Sequence, residues 1–116
     1  MWDNKLKAVT FSIDDGCESD KRIVEIFDKY GMKGTFNLNS GLLNTTLELK
    51  NAKGEITERI SKICVYDVRE TYKNHEIAVH TCLHPNLTEV SDERVKWEVE
   101  KDRLALELLC GYSICG

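Results

Sequence analysis

Apolar positions along the chain follow two patterns that alternate. Short runs rich in β-branched residues read as buried strands, and stretches with apolar residues at helical spacing read as amphipathic helices. Residues 7–13 form such a run and predict a central strand, stopped by Asp14-Asp15-Gly16, where the glycine lets the backbone turn sharply. Ser19 or Asp20 then caps a helix carrying Ile23, Val24, Ile26, Phe27 and Tyr30, which Gly31 closes. Residues 33–38 predict a second strand, and strand, helix, strand over this span predicts a right-handed βαβ unit.

Residues 39–54 are polar with scattered leucines and read as a long connection holding at most one short element. Connections of this length often border a functional face. Residues 56–63 can include a third strand, residues 65–73 a short helix ended by Asn74-His75, and residues 76–80 a strand leading into His80. Thr88 or Ser91 caps a longer helix with apolar residues at Val95, Val99, Leu104, Leu108 and Leu109, ended by Gly111. Residues 112–116 read as the first residues of another strand. The expected fold class is α/β, strands and helices alternating around a mostly parallel sheet. A chain that breaks off inside a strand leaves an unpaired sheet edge, through which copies can associate unless a partner covers it.

The length of 116 residues allows a single domain over 1–116 and little more. A net charge of −4 with both signs interspersed excludes an electrostatic nucleic-acid binder, which needs a basic stripe. No window is long and apolar enough to span a membrane, and the amino terminus has no apolar segment of secretory type, so the chain as written reads as cytoplasmic. The five cysteines are odd in number and irregular in spacing, with no C-x-x-C pair. They read as reduced thiols, mostly buried as small hydrophobes, rather than as a disulfide framework. Cys82, between His80 and His84, is a secondary candidate for a metal ligand.

Two segments carry the candidate chemistry. Asp14-Asp15 follows the first strand, and His80-x-x-x-His84, closed by Pro85, follows a later one. Adjacent aspartates at a strand end can be simple turn chemistry. Successive strand residues point to opposite faces, so a turn is required to bring both carboxylates to one site, and Gly16 permits it. Pro85 disfavours helical geometry at His84, so the histidine pair belongs to a loop or a broken turn, where it can equally be two partly exposed imidazoles. His75, ahead of the strand, reads as a surface or turn residue. Taken together, two imidazoles and a carboxylate are a metal-binding set, and a second carboxylate beside them can serve as general base.

The two segments resemble the amino-terminal half of the polysaccharide deacetylases, the NodB-homology domain of carbohydrate esterases. Thr10-Phe11-Ser12-Ile13-Asp14-Asp15-Gly16 is similar to the family's Thr-Phe-Asp-Asp-Gly motif, with one extra residue before the aspartates. His80-Thr81-Cys82-Leu83-His84-Pro85 matches its His-Ser/Thr-x-x-His-Pro motif without a gap. Asn74-His75-Glu76-Ile77-Ala78 and Tyr30-Gly31-Met32-Lys33-Gly34-Thr35-Phe36 resemble the flanks of its strands. The resemblance implies part of a distorted (β/α) barrel, with Asp14 as catalytic base and Asp15, His80 and His84 as ligands of a divalent metal, commonly Zn²⁺. It implies removal of acetyl groups, usually the N-acetyl of an amino sugar, from an oligo- or polysaccharide. The family's later motifs, which orient the base and supply an oxyanion donor and a general acid, would lie after Gly116. The chain is therefore expected to be truncated at its carboxyl end. Two other readings compete: a catalytically impaired metal- or sugar-binding remnant, and a receiver-like signalling module whose acidic pair holds magnesium. The second leaves His80 and His84 without a role.

Overall fold

The computed structural model describes residues 6–116. Three parallel strands form the main sheet: β1 (Ser12–Asp14), β2 (Thr35–Leu38) and β5 (Glu76–Val79), in the order β1-β2-β5. Ser12 to Asp14 pair with Thr35 to Asn37, and Thr35 to Leu38 pair with Glu76 to Val79. β1 is thus the edge strand and β2 the central one, a correction to the expected placement. Only the last part of the predicted first run is extended in the sheet. Among the described residues no strand lies on the outer side of β1, and Val9 and Phe11 are exposed.

Helix α1 (Asp20–Lys29) joins β1 to β2. It buries Val24 and Phe27 and ends where the pattern requires: Gly31 takes φ 65°, its N–H donates to Asp28 O, and Met32 N–H donates to Phe27 O. This pair of reversed bonds satisfies the last carbonyls of the helix. Ser19 stands at the cap position without a side-chain bond, and the Asp20 carboxylate instead accepts from the Tyr72 hydroxyl at 2.7 Å.

The long connection holds more structure than its polarity predicts. A 3-10 turn (Ser40–Leu42) is followed by β3 (Thr46–Lys50), which pairs antiparallel with β4 (Ile56–Ser61) in a separate two-stranded ribbon. Nearly every residue of this ribbon is exposed, so its Leu47 and Leu49 never give a burial signal strong enough to be read as a strand. Its base is tied to the rest of the fold where Ile63 N–H donates to Gly16 O and Glu18 N–H to Ser61 O.

After a single helical turn, α2 (Val68–Thr71), comes β5, then a second 3-10 turn (Leu87–Glu89) and the long α3 (Asp92–Cys110). Ser91 is the cap of α3, its Oγ accepting from Arg94 N–H, and Gly111 closes it at φ 77°. The expected apolar face of α3 is corrected: Leu104 and Leu108 are exposed, and the helix packs with Glu98, Asp102, Leu106 and Cys110, one residue per turn. Beyond α3, Ile114 is buried and Gly116 O accepts from Val79 N–H, so the last residues lie along the outer edge of β5. The core gathers Phe27, Phe36, Leu38, Ile63, Tyr72 and Ile77.

His75 closes a turn, as expected, its N–H donating to Tyr72 O at 2.9 Å, but it is not a surface residue. Its side chain is 0% exposed, packed against the rings of Phe27 and Phe36. Its Nδ1 accepts from Gly34 N–H at 3.3 Å. Phe27 leaves room for this only because residue 34 is glycine, since a Cβ there would lie 2.8 Å from the Phe27 ring. No helix of the described residues is long and apolar enough to cross a membrane.

Candidate metal centre

Both sequence-predicted segments leave the sheet at the carboxyl ends of its strands. Asp14 is the last residue of β1, and Asn37, opposite it in register, donates from Nδ2 to Asp14 Oδ1 and Ser12 Oγ, each at 2.7 Å. Asp15 N–H still donates to Asn37 O at 2.9 Å. There the backbone turns over: Asp15 takes φ 81° and Gly16 φ 61°. The turn therefore begins one residue earlier than the glycine. Gly16 is nonetheless required, because a Cβ on it would lie 2.9 Å from Leu38 Cδ2.

His80 follows β5 and keeps the ladder, its N–H donating to Leu38 O at 3.0 Å. The loop then takes two left-handed residues, Thr81 at φ 67° and His84 at φ 54°, so the pair sits in a loop, as Pro85 requires. Such conformations are strained for side-chain-bearing residues and persist only where neighbours hold them. Here α3 and the first 3-10 turn do so. Asp102, 0% exposed, accepts from His80 N–H at 2.9 Å and from Ser40 N–H at 2.7 Å. Glu98, also fully buried, accepts from Leu83 N–H at 2.8 Å and from Arg94 on its other oxygen. Asn39 Nδ2 donates to the carbonyls of His80 and Thr81. Gly41 lets the two loops touch, since a Cβ there would meet Cys82 O at 2.7 Å. Cys82 is buried against Ser40 and is not among the converging donors.

The result is a convergence of three groups. Asp15 Oδ1 lies 3.6 Å from His80 Nε2 and 3.4 Å from His84 Nε2. Among the described residues, Asp15, His80 and His84 are the group whose ligand atoms all lie within 4.8 Å of one another. Metal–ligand bonds of about 2.0–2.2 Å in a tetrahedron place ligand atoms roughly 3.4 Å apart. The two spacings to Asp15 match that value, and the donor set fits a borderline divalent cation with coordination positions left for water and substrate. Asp14 lies outside this group, beside it in sequence, with Oδ1 already occupied by Asn37.

Sequence reasoning missed the residues that hold these donors in place: Asn37, Asn39, Lys62, Glu98 and Asp102. Lys62 donates to Asp15 O at 2.9 Å, and its ammonium is 3.7 Å from Asp15 Oδ2. An apolar cleft of about 350 Å³ adjoins the histidines, lined by Val79, Thr81, Pro85, Leu87 and Val99. A somewhat larger one, about 410 Å³, is bordered by Arg69, Lys73 and His75 and includes none of the converging donors.

The family model for polysaccharide deacetylases matches residues 3–114, and the chain belongs to that family. This membership sets aside the receiver-like alternative. Among solved structures, the chain is similar to the Streptococcus pyogenes deacetylase PplD in complex with acetate, at 19% identity and TM-score 0.74, covering 96% of this chain and 45% of that one. It is also similar to the Bc1960 peptidoglycan N-acetylglucosamine deacetylase, at 26% identity and TM-score 0.68, covering 95% of this chain and 44% of that one. A third is a mutant of BA3943, a CE4-family pseudoenzyme with restored activity, at 23% identity and TM-score 0.64, covering 96% and 35%. No curated protein sequence matches the chain. The chain thus spans less than half the length of these solved relatives. Its fold is a partial α/β barrel of the same family, not closed.

Proposed function

We propose that this chain carries the metal-binding part of a polysaccharide deacetylase site, within one NodB-homology domain over residues 1–116. The reaction is hydrolysis of the N-acetyl group of an amino sugar in an oligo- or polysaccharide. The similarity to the Bc1960 peptidoglycan N-acetylglucosamine deacetylase makes the N-acetylglucosamine of peptidoglycan the first substrate to try. The reading is carried by the convergence of Asp15, His80 and His84 on one point, next in sequence to a second carboxylate. In it, those three residues hold a divalent cation, zinc by the nature of the donors.

When bound, such a cation lowers the pKa of a coordinated water and polarises the acyl carbonyl. The chain's own residues do the rest. Asp14 takes the proton of the attacking water on Oδ2, because Asn37 donates to Oδ1 and fixes the carboxylate. The left-handed turn at Asp15 and Gly16 turns the chain over directly after the base, at the ligand carboxylate. The cleft beside His84 gives an apolar surface near the reacting group.

The test is zinc content and acetate release from N-acetylglucosamine oligomers, for the wild type and for His80→Ala and Asp14→Asn. His80→Ala loses zinc and activity together. Asp14→Asn keeps zinc and loses at least ~10²-fold in rate. Zinc content unchanged in His80→Ala overturns the metal assignment. A catalytically impaired metal- or sugar-binding remnant is the second reading. Acetate release at background from the zinc-loaded wild type selects it.

A further inference from the structure

Lys62 has no place in the chemistry above, yet it is the most conspicuous charge beside it. Its side chain is 9% exposed. A lysine withdrawn this far from water needs partners for its ammonium, since an unpaired buried charge is strongly destabilising. Its hydrogen-bond acceptor is a backbone carbonyl, that of Asp15, at 2.9 Å. Asp15 is the residue that turns left-handed, at φ 81°, and its carboxylate is split between two surroundings. Oδ1 faces the two imidazoles at 3.4 and 3.6 Å, while Oδ2 faces the ammonium at 3.7 Å.

The hairpin puts Lys62 there. Cys17 and Lys62 form an antiparallel bridge, with Ile63 N–H on Gly16 O at 2.8 Å and Glu18 N–H on Ser61 O at 2.9 Å. Lys62 N–H itself donates to Thr45 O at 2.9 Å, which closes the base of the β3–β4 ribbon. The lysine thus reaches Asp15 from a backbone frame fixed on both sides.

We propose that Lys62 is a positioning residue for Asp15. It holds the strained turn by its backbone carbonyl and neutralises Oδ2, so that Asp15 presents Oδ1 alone to the ion. This inference rests on the metal reading of the site. Two effects of opposite sign follow from the ammonium. It repels a bound cation, which weakens binding, and it fixes the ligand oxygen, which strengthens it. The second dominates, because hydrogen-bond partners behind metal ligands typically govern affinity by 10–100-fold.

The experiment measures zinc affinity of the 116-residue chain by competition with a chromophoric chelator, alongside the thermal midpoint with and without zinc. Lys62→Met weakens zinc binding by about 10–100-fold and shrinks the zinc-induced rise in midpoint. Lys62→Arg, which restores a cationic donor, recovers at least about tenfold of that loss. Affinity within about threefold of wild type in Lys62→Met overturns the proposal, as does tighter binding, or an arginine variant as weak as the methionine one. If Lys62→Met does not fold by circular dichroism, Lys62→Gln takes its place with the same expected loss. Asp15→Asn separates the two layers of argument. If it leaves zinc affinity intact, the metal reading itself falls. If it abolishes binding while Lys62→Met does not weaken it, only the role of Lys62 falls.

Discussion

The loop that carries His80 and His84 rests on α3, whereas the turn that carries Asp14 and Asp15 leans on the base of the β3–β4 hairpin. Under the histidine loop, side chains add to the backbone bonds that His80 and Cys82 make: Asp102 and Glu98 accept backbone N–H groups, and the Asn39 amide donates to two carbonyls. Under the aspartate turn the supports are largely backbone: a bridge from Cys17 to Lys62 and the bonds that flank it, with one lysine added. Both loops contain left-handed residues other than glycine, each costing of order 1–3 kcal/mol. The first loop is therefore vulnerable to loss of a single carboxylate, the second to anything that alters the path of the chain.

Asp102→Ala is the strongest way to break this contrast. It strips Ser40 N–H of its partner in a partly buried place and leaves His80 N–H with Leu38 O alone. An orphaned buried donor costs about 1–3 kcal/mol, and a lost bond to a charged group costs about as much. The expected loss is about 3 kcal/mol in urea unfolding, accompanied by weaker zinc binding. Asp102→Asn keeps one acceptor oxygen and loses less. An alanine variant of wild-type stability would mean that the loop holds its own shape.

The unequal supports also explain what could be read from the chain. Asp15, His80 and His84 were legible because residue type, adjacency to strand ends and the Gly16 and Pro85 punctuation all survive in one dimension. The closing of α1 by Gly31 and the capping of α3 by Ser91 were legible for the same local reason. Glu98 and Asp102 were not. Two acids four apart on a helix ordinarily mark its solvated face, and here they are buried against N–H groups distant in sequence, those of His80 and Ser40 for Asp102 and that of Leu83 for Glu98. That inversion also misdirected the reading of α3, which leaves Leu108 in the open and buries carboxylates. The burial of His75 was not legible because its partner, the N–H of Gly34, is 41 residues away. Of the hairpin, β4 falls inside the strand expected in residues 56–63, whereas β3 was hidden because it buries nothing, and the role of Lys62 was hidden because Asp15 is 47 residues away.

Gly16→Ala probes the aspartate side. The new methyl would sit 2.9 Å from Leu38 Cδ2 in a residue held at φ 61°. Left-handed geometry costs roughly 1–2 kcal/mol for a residue with a Cβ, and the core must shift in addition because Leu38 is fully buried. The expected loss is about 2 kcal/mol, smaller than for Asp102→Ala. Zinc affinity should fall with it, because the path from Asp15 to the Cys17 bridge changes. A variant as stable as wild type with unchanged zinc affinity would show that the turn tolerates displacement and that its backbone supports matter less than the side chains beneath the histidines.

The smallest effect concerns Asp20, the buried carboxylate that follows the aspartate turn. It is 2% exposed and accepts from the Tyr72 hydroxyl. Burial pushes its pKa above the ordinary value, against the opposing pull of the Tyr72 bond, a Cys17 backbone bond and the Lys62 charge. The same pairing and burial hold the Tyr72 phenol above its own ordinary value. A carboxyl whose folded pKa lies above its unfolded one binds its proton more tightly in the native state. Its contribution is therefore fully present below the unfolded pKa and is lost as pH rises through the folded value. This is the reverse of a salt-bridged carboxylate, whose contribution is lost on acidification. Asp20→Asn, which stays neutral and can still accept from Tyr72, removes that slope. Urea unfolding at several pH values from about 4 to 7 should show the variant gaining on the wild type as pH rises. A difference flat in pH would mean that Asp20 titrates alike in the folded and unfolded chains, and a variant that loses ground to the wild type as pH rises would mean that Asp20 is stabilised as the anion; either outcome overturns the prediction.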